Sequence, residues 1–342
     1  MRACSACFAA QTWPVNARGE ARSAGTCDFG HGYSHSTWPT HAWREHILRL
    51  LSLYDPVEEE MGESRIAAVL QNDWQIFSFT DSTVVESFLY DAVGSHALLV
   101  DGAGAVLRAV QGEADHLASW AEFSDEIKTK NRYFPSMLPD PEVLKNTIEV
   151  QIEEVKSDVA LYRARLADTV GQYMSADMGA PPPARASAGR ANPVGVPYLY
   201  LAFDEATCIY ESRAASHAIV SVGKFQLTRS VRVLNLADVE APDFFDDDEI
   251  VRLTSFRYMQ GLSRELTKPV RASDKETDYI PTQYLCEFAK SIGLDGVLYS
   301  SALHPGGRNL VLFAPALAAC LAGVVSYELL GLTAEWQVAE AA

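Results

Sequence analysis

The chain has 342 residues, of which 48% are hydrophobic and 21% are charged, and its formal net charge at pH 7 is −17. This length and balance are typical of a soluble protein with two globular domains. The negative charge argues against nucleic acid and anionic membranes as partners, because both are bound through basic surfaces.

The cysteines and the apolar stretches indicate a cytoplasmic protein. Six cysteines are spread too thinly over the chain for a disulfide framework. Cysteines and a Trp lie near the N-terminus, where a signal peptide would have a continuous apolar core. The most apolar stretch, residues 314–332, is too short in its uncharged part to span a bilayer. We expect it to be a buried helix or strand.

Hydrophobic periodicity predicts a mainly helical first domain, residues 1–150. Apolar residues recur at helical spacing over three segments: residues 43–54, 65–76 and 114–130. A polar helix is predicted at residues 142–156, and a hairpin at residues 96–110 around two glycines. Prolines between these helices break the pattern, which places the domain boundary near residue 150.

The second domain, residues 151–342, is predicted to be α+β. Strand-like segments cover residues 159–166, 198–203, 218–227, 231–236, 297–299 and 309–313. Helices are predicted at residues 250–266 and 281–292, the latter with Pro281 in its first turn and Gly293 at its end. Loops rather than regular crossover helices separate the strands, so we expect a mixed sheet.

Four segments of the second domain suit an anion site beside one carboxylate. They are residues 162–165 (YRAR), 189–193 (GRANP), 198–213 (YLYLAFDEATCIYESR) and 295–313 (DGVLYSSALHPGGRNLVLF). Arg163 and Arg190 can each hold a pyrophosphate through two parallel hydrogen bonds, and Gly189 lets the backbone approach a ligand closely. Glu211 follows a strand in an apolar segment, where a carboxylate can stabilise an oxocarbenium-like cation. The sequence has no Rossmann, P-loop or α/β-hydrolase fingerprint.

The order and the residues of these segments resemble those of the RES domain, the toxin of Res–Xre toxin–antitoxin pairs, over residues 161–313. The family's Arg, strand Tyr, Glu and Ser match four residues, which the resemblance makes the catalytic set: Arg163, Tyr200, Glu211 and Ser301. Five more positions are matched as binding residues: Gly189, Arg190, Asn192, Ser300 and Asn309. Ser300 stands where the family often has Pro.

The resemblance implies a fold like that of ADP-ribosyltransferases, with NAD as the substrate. Arg163 and Arg190 would hold the pyrophosphate, and Tyr200 would contact the nicotinamide riboside. Glu211 would face the anomeric carbon, while Ser301 would hydrogen-bond the nicotinamide side. Water or phosphate would then release nicotinamide from NAD, and the nucleophile stays open. The alternatives are a protein ADP-ribosyltransferase that uses the same residues and an inactive RES-like binding module.

Cysteines at the start of the chain indicate a structural zinc site. Cys4, Cys7 and Cys27 form three quarters of a Cys4 zinc knuckle, with Gly30 in the place of the fourth cysteine. His31 or His35 can complete a Cys3His site, and we assign His31; cysteines that bind no metal are the alternative.

The rest of the first half, including Trp74 and residues 119–135, resembles the HEPN/RES N-terminal domain. HEPN nucleases carry R-x4-6-H, whereas Arg44 and His46 have the wrong spacing, so we expect a regulatory or partner-sensing role. An enzyme that drains NAD poisons its own cell unless it is restrained. We therefore expect a separate antitoxin, restraint by the first 150 residues of the same chain, or homo-oligomerisation.

Overall fold

A computed structural model of the chain describes residues 1–9, 22–58, 65–79, 81–100, 103–107, 114–167, 173–239, 249–267 and 276–331. The chain divides into two compact units. Unit 1 comprises Met1–His116 and Glu240–Arg257, and unit 2 comprises Leu117–Val239 and Tyr258–Ala342. The helices that precede residue 150 have Trp120, Phe123 and Ile148 in the core of unit 2, which explains why the compact units divide before that residue. A boundary near residue 150 stays a prediction.

Unit 1 contains both helices and small antiparallel sheets. Strands β1 (Arg2–Cys4), β3 (Gly32–Pro39) and β2 (Ser23–Cys27) form a three-stranded sheet in that order, and β4 (Tyr54–Glu58) pairs with β5 (Ala103–Leu107). The helices are α1 (Arg44–Leu51), α2 (Ile66–Trp74) and α3 (Ser82–Val93). Aromatic side chains fill the core, where the rings of Phe8 and Trp43 lie 4.9 Å apart and those of Phe77 and Phe88 lie 5.2 Å apart. Unit 1 therefore combines helices with small sheets.

One sequence prediction is wrong in unit 1. Residues 103–107 were expected to belong to a hairpin within residues 96–110, but they form β5, which pairs with the distant β4, and Ala97–Leu99 form a 3-10 turn. Helix α3 was missed although it carries capping signals: Asp81 accepts a hydrogen bond from the Thr83 amide, and Gly94 follows the helix with a φ of 78°. The helices predicted near residues 43–54 and 65–76 are confirmed as α1 and α2, the former ending before β4.

Unit 2 is built on a nine-stranded mixed sheet, as predicted. The strands, listed in chain order, are β6 (Ile152–Val155), β7 (Leu161–Leu166), β8 (Leu199–Ala202), β9 (Ile219–Leu227), β10 (Val231–Asn235), β11 (Gly296–Ser300), β12 (Arg308–Leu312), β13 (Ala318–Cys320) and β14 (Val325–Glu328). Their order in the sheet is β13-β9-β7-β8-β12-β11-β10-β6, with β14 also paired to β9. Among these strands only β10 and β11 pair in parallel.

Each face of this sheet has its own apolar core, because side chains alternate along a strand. Val297 and Val311 belong to the cluster that includes helices α4 (Ala114–Thr129), α5 (Pro141–Glu149), α7 (Glu249–Thr267) and α8 (Ile280–Ser291). Leu298 and Leu310 belong to the other cluster, with Leu161 and Met178. The short helix α6 (Glu205–Glu211) follows β8.

Two predictions differ from the structure in unit 2. The polar helix predicted at residues 142–156 ends at Glu149, because Ile152–Val155 pair with β10 as an edge strand. Residues 314–332 were expected to be buried, yet the described part forms a 3-10 turn and the half-exposed strands β13 and β14. Within the described residues, no helix has the length and apolar character needed to cross a membrane.

Candidate active site

A cavity of about 310 Å³ opens beside the middle strands of the unit 2 sheet. Strands β7, β8, β11 and β12 and helix α6 provide its walls. The lining residues are Tyr162, Arg163, Ala164, Tyr200, Leu201, Ala202, Cys208, Glu211, Ser212, Tyr299 and Asn309. The volume lies at the lower end of the range that small-molecule sites occupy.

Glu211 is the last residue of α6, a position that the helix dipole makes unfavourable for a carboxylate. Two side chains offset this unfavourable interaction by donating hydrogen bonds to the carboxylate. Ser301 Oγ donates a hydrogen bond to Glu211 Oε1 at 2.7 Å, and Asn309 Nδ2 donates to the same oxygen at 2.9 Å. Among the residues that the structure describes, none donates a hydrogen bond to Oε2. The carboxylate is therefore held in one orientation with its second oxygen available to a ligand.

Ser301 is not among the residues that line the cavity, but it contacts Glu211, which does line it. Its Oγ accepts hydrogen bonds from the backbone amides of Leu303 at 3.2 Å and His304 at 3.0 Å. Because these contacts occupy the acceptor sites of the hydroxyl, its proton points to Glu211. Ser300 donates its hydroxyl to the Ala237 carbonyl at 3.2 Å and is not among the lining residues.

Tyr200 is fixed by the loop that carries Asn192. Its hydroxyl donates to Asn192 Oδ1 at 2.7 Å and accepts from the Ala191 amide at 3.2 Å. The Asn192 amide in turn donates to the carbonyls of Ser187 and Val196. Burial raises the pKa of Tyr200 far above neutrality, so its hydroxyl stays protonated. Asn192 thus acts through Tyr200 and does not line the cavity.

Gly189 lies against the same hydroxyl. A Cβ atom at this position would be 2.6 Å from Tyr200 Oη and 2.7 Å from Asn192 Oδ1, closer than packed atoms approach. Glycine is therefore required because two polar side chains pass over the backbone here.

Gly189→Ala is expected to destabilise the protein by about 1–3 kcal/mol, because the new methyl group displaces Tyr200 or Asn192. Gly179→Ala is the matched control: it lies in the same unit, its φ is −68°, and a Cβ atom there meets nothing within 4 Å. Urea unfolding of both variants measures the difference. Equal stability of the two variants would contradict this account of the loop.

The two predicted pyrophosphate ligands differ in position. Arg163 lines the cavity, and its Nη1 donates to the carbonyls of Met178, at 2.8 Å, and Gly179. Burial, with a smaller effect from Arg165, lowers the pKa of Arg163 to about 10, which leaves it charged at neutral pH. Among the described residues, none accepts a hydrogen bond from its other N–H groups, which are of the kind that binds an anion. Arg190 is not among the lining residues and donates to the Leu266 carbonyl.

Several residues around Glu211 were missed by sequence reasoning. Tyr299 lines the cavity, and burial together with Glu211 raises its pKa. Its position near the end of β11, directly before the two serines, is the sequence signal that could have identified it. Thr207 Oγ1 and His304 Nδ1 lie 2.8 Å apart, and the His304 ring stacks on Tyr210 with centroids 5.0 Å apart. Nothing in sequence spacing places residues 207 and 304 together.

A second cluster of chemically active side chains lies in unit 1. The Sγ atoms of Cys4, Cys7 and Cys27 and a ring nitrogen of His31 all lie within 4.8 Å of one another. His35, the other histidine considered, instead packs edge-on against Tyr33, with centroids 5.6 Å apart. The structure therefore brings together the four residues assigned from the sequence.

The family model of the RES domain matches residues 160–331, half of the chain. No curated protein matches. A chain in the crystal structure of the M. tuberculosis MbcT–MbcA toxin–antitoxin complex is similar, at 21% identity and a TM-score of 0.35, over 55% of this chain and 92% of that one. The HEPN/RES N-terminal resemblance of the first half stays a prediction. The family match contains the whole predicted catalytic set, and the chain belongs to the RES domain family.

Proposed function

We propose that unit 2 cleaves the nicotinamide–ribose bond of NAD, by hydrolysis or phosphorolysis. RES domain toxins are NAD-degrading enzymes, and membership of this family makes the chain a toxin-like, NAD-related enzyme. The observation that carries the proposal of NAD cleavage is the Glu211 carboxylate, which two donors orient through Oε1 beside the cavity.

Glu211 suits the chemistry of this bond. Nicotinamide is a good leaving group because it departs as a neutral molecule, and the positive charge of its ring passes to the ribose. A preorganised carboxylate stabilises the oxocarbenium-like cation that forms, and it costs little reorganisation when Ser301 and Asn309 already hold it. Positioning and electrostatics can then supply most of the rate enhancement without a covalent intermediate.

The remaining lining residues suit the rest of the substrate. We assign the pyrophosphate to Arg163, whose charged guanidinium lies at the cavity. Tyr200, held neutral, is assigned to the nicotinamide riboside. Arg190 stays the candidate for a second anion ligand by its match to the family, although it donates to the Leu266 carbonyl and does not line the cavity. Gly189, Asn192 and Ser300 are assigned to shaping the surrounding loops.

Restraint of this activity belongs to the same proposal. A chain that depletes NAD harms the cell that makes it. By its family, the chain would be held by a separate antitoxin; the first 150 residues or self-association are the alternatives that its extra length allows.

Incubation of the full-length protein with NAD, with and without phosphate, tests the proposed reaction. We expect free nicotinamide in both cases when water is the nucleophile, together with ADP-ribose, identified by mass. A requirement for phosphate and the formation of ADP-ribose-1″-phosphate indicate phosphorolysis. When the ADP-ribose part of NAD is radioactively labelled, label that becomes attached to protein indicates the transferase alternative. No loss of NAD under any of these conditions contradicts the proposal.

A further inference from the structure

The cysteine–histidine cluster of unit 1 gathers side chains from three places in the chain. Cys4 ends β1, and Cys7 closes the 3-10 turn Ser5–Cys7 that follows it. Cys27 ends β2, and His31 lies in the turn that leads to β3. The three cysteines are at most 4% exposed, whereas His31 is exposed. The cluster thus joins the first turn of the chain to the β2–β3 turn.

Four of the six distances between the ligand atoms of the cluster lie within about 0.4 Å of those in a tetrahedral zinc site. Zinc bonds of about 2.3 Å to sulfur and about 2.05 Å to nitrogen place tetrahedral sulfurs about 3.8 Å apart and a sulfur and a nitrogen about 3.5 Å apart. The Sγ atoms of Cys4 and Cys7 are 3.9 Å apart, and those of Cys7 and Cys27 are 3.4 Å apart. His31 Nδ1 lies 3.3 Å from Cys7 Sγ and 3.7 Å from Cys27 Sγ.

An ordinary apolar core does not explain this arrangement. A buried cysteine alone behaves as a small hydrophobic residue, but here an imidazole nitrogen from an exposed residue converges on three thiols. A disulfide requires two sulfurs about 2.05 Å apart and leaves the other two groups without a role. The His31 ring is also stacked on Phe79, with centroids 5.7 Å apart and planes 16° apart, which fixes the direction of Nδ1.

We propose that Cys4, Cys7, Cys27 and His31 bind one zinc ion that fastens the start of the chain to the β2–β3 turn. Three thiolates and one imidazole in a tetrahedron favour zinc over oxygen-preferring cations. All four ligands come from the protein, so the site is structural and leaves no position for a substrate. On binding, three thiol protons pass to the solvent. This proposal is independent of NAD cleavage, since its ligands belong to unit 1.

Metal content of the full-length protein tests the site directly. Protein purified under reducing conditions without chelator is expected to contain about one zinc ion per chain by elemental analysis. Replacement by Co²⁺ is expected to give the visible absorption of a tetrahedral site and thiolate-to-cobalt charge transfer. Folded, fully reduced protein that contains no zinc and takes up no Co²⁺ would overturn the proposal.

Matched variants test which residues are the ligands. His31→Ala is expected to weaken zinc binding by roughly 100-fold or more, since loss of a ligand costs more than loss of an outer contact. His31→Cys is expected to keep the metal with an altered Co²⁺ spectrum. His35→Ala and Cys320→Ser are the controls and should keep one zinc each. Equal loss of zinc in His31→Ala and His35→Ala would overturn the assignment. Because His31 is exposed, this test does not depend on whether a cysteine variant folds.

Discussion

Glu211→Gln is expected to lower the rate of NAD cleavage at least about 100-fold, because the amide cannot stabilise positive charge on the ribose. The substitution keeps the shape of the side chain. Its carbonyl oxygen can still accept from Ser301 and Asn309, the two donors that hold Oε1 in the native protein. The loss is therefore one of charge and not of packing, and thermal stability is expected to change little.

Nicotinamide release at saturating NAD, measured alongside thermal unfolding, separates these two effects. Glu205→Gln is the matched control: Glu205 is an exposed carboxylate on the same helix that accepts a hydrogen bond from Tyr327 at 2.9 Å. It is expected to retain activity near that of the native protein. A folded Glu211→Gln variant with native activity would contradict the assignment of Glu211 as the catalytic carboxylate, whatever the products are.

Asp73→Ala is expected to destabilise the protein by about 3–5 kcal/mol, because it removes the buried carboxylate that accepts hydrogen bonds from Arg257 and Tyr54. Asp73 has no exposed side-chain surface. Arg257 Nε donates to its Oδ1 at 2.8 Å, and Nη2 donates to Oδ2. Tyr54 also donates to Oδ2 at 2.6 Å and accepts from Trp74 at 2.9 Å. Burial and the neighbouring Asp73 raise the pKa of Tyr54, so it stays a donor.

Urea unfolding followed by the fluorescence of the tryptophans measures this loss. Asp125→Asn is the control, since the Asp125–Lys130 pair is 3.6 Å apart but more than half exposed on both sides. Such a surface pair contributes at most about 1 kcal/mol, so the control is expected to unfold close to the native protein. A loss below about 1 kcal/mol in Asp73→Ala would show that the network does not stabilise unit 1.

Local sequence signals were sufficient to predict a helix or strand where its own residues specify it. Helix α8 has Pro281 in its first turn and ends before Gly293, and it was predicted nearly to the residue. The strands that carry Arg163 and Asn309 were also predicted, because short apolar runs between turn residues indicate buried strands. The edge strand Ile152–Val155 was missed because its two consecutive glutamates interrupt the apolar–polar alternation of a strand and resemble the polar helix before them.

The ordered RES segments in the sequence by themselves predicted nine candidate site residues, although Tyr299, which lines the cavity, was not among them. Only the tertiary structure decided how they are used. Arg163, Tyr200, Glu211 and Asn309 line the cavity, while Ser301 and Asn192 act through hydrogen bonds to Glu211 and Tyr200. The physical reason is that pairing with segments distant in the sequence sets the direction of a strand and the path of a loop. The spacing of residues along the sequence does not show which segments pair.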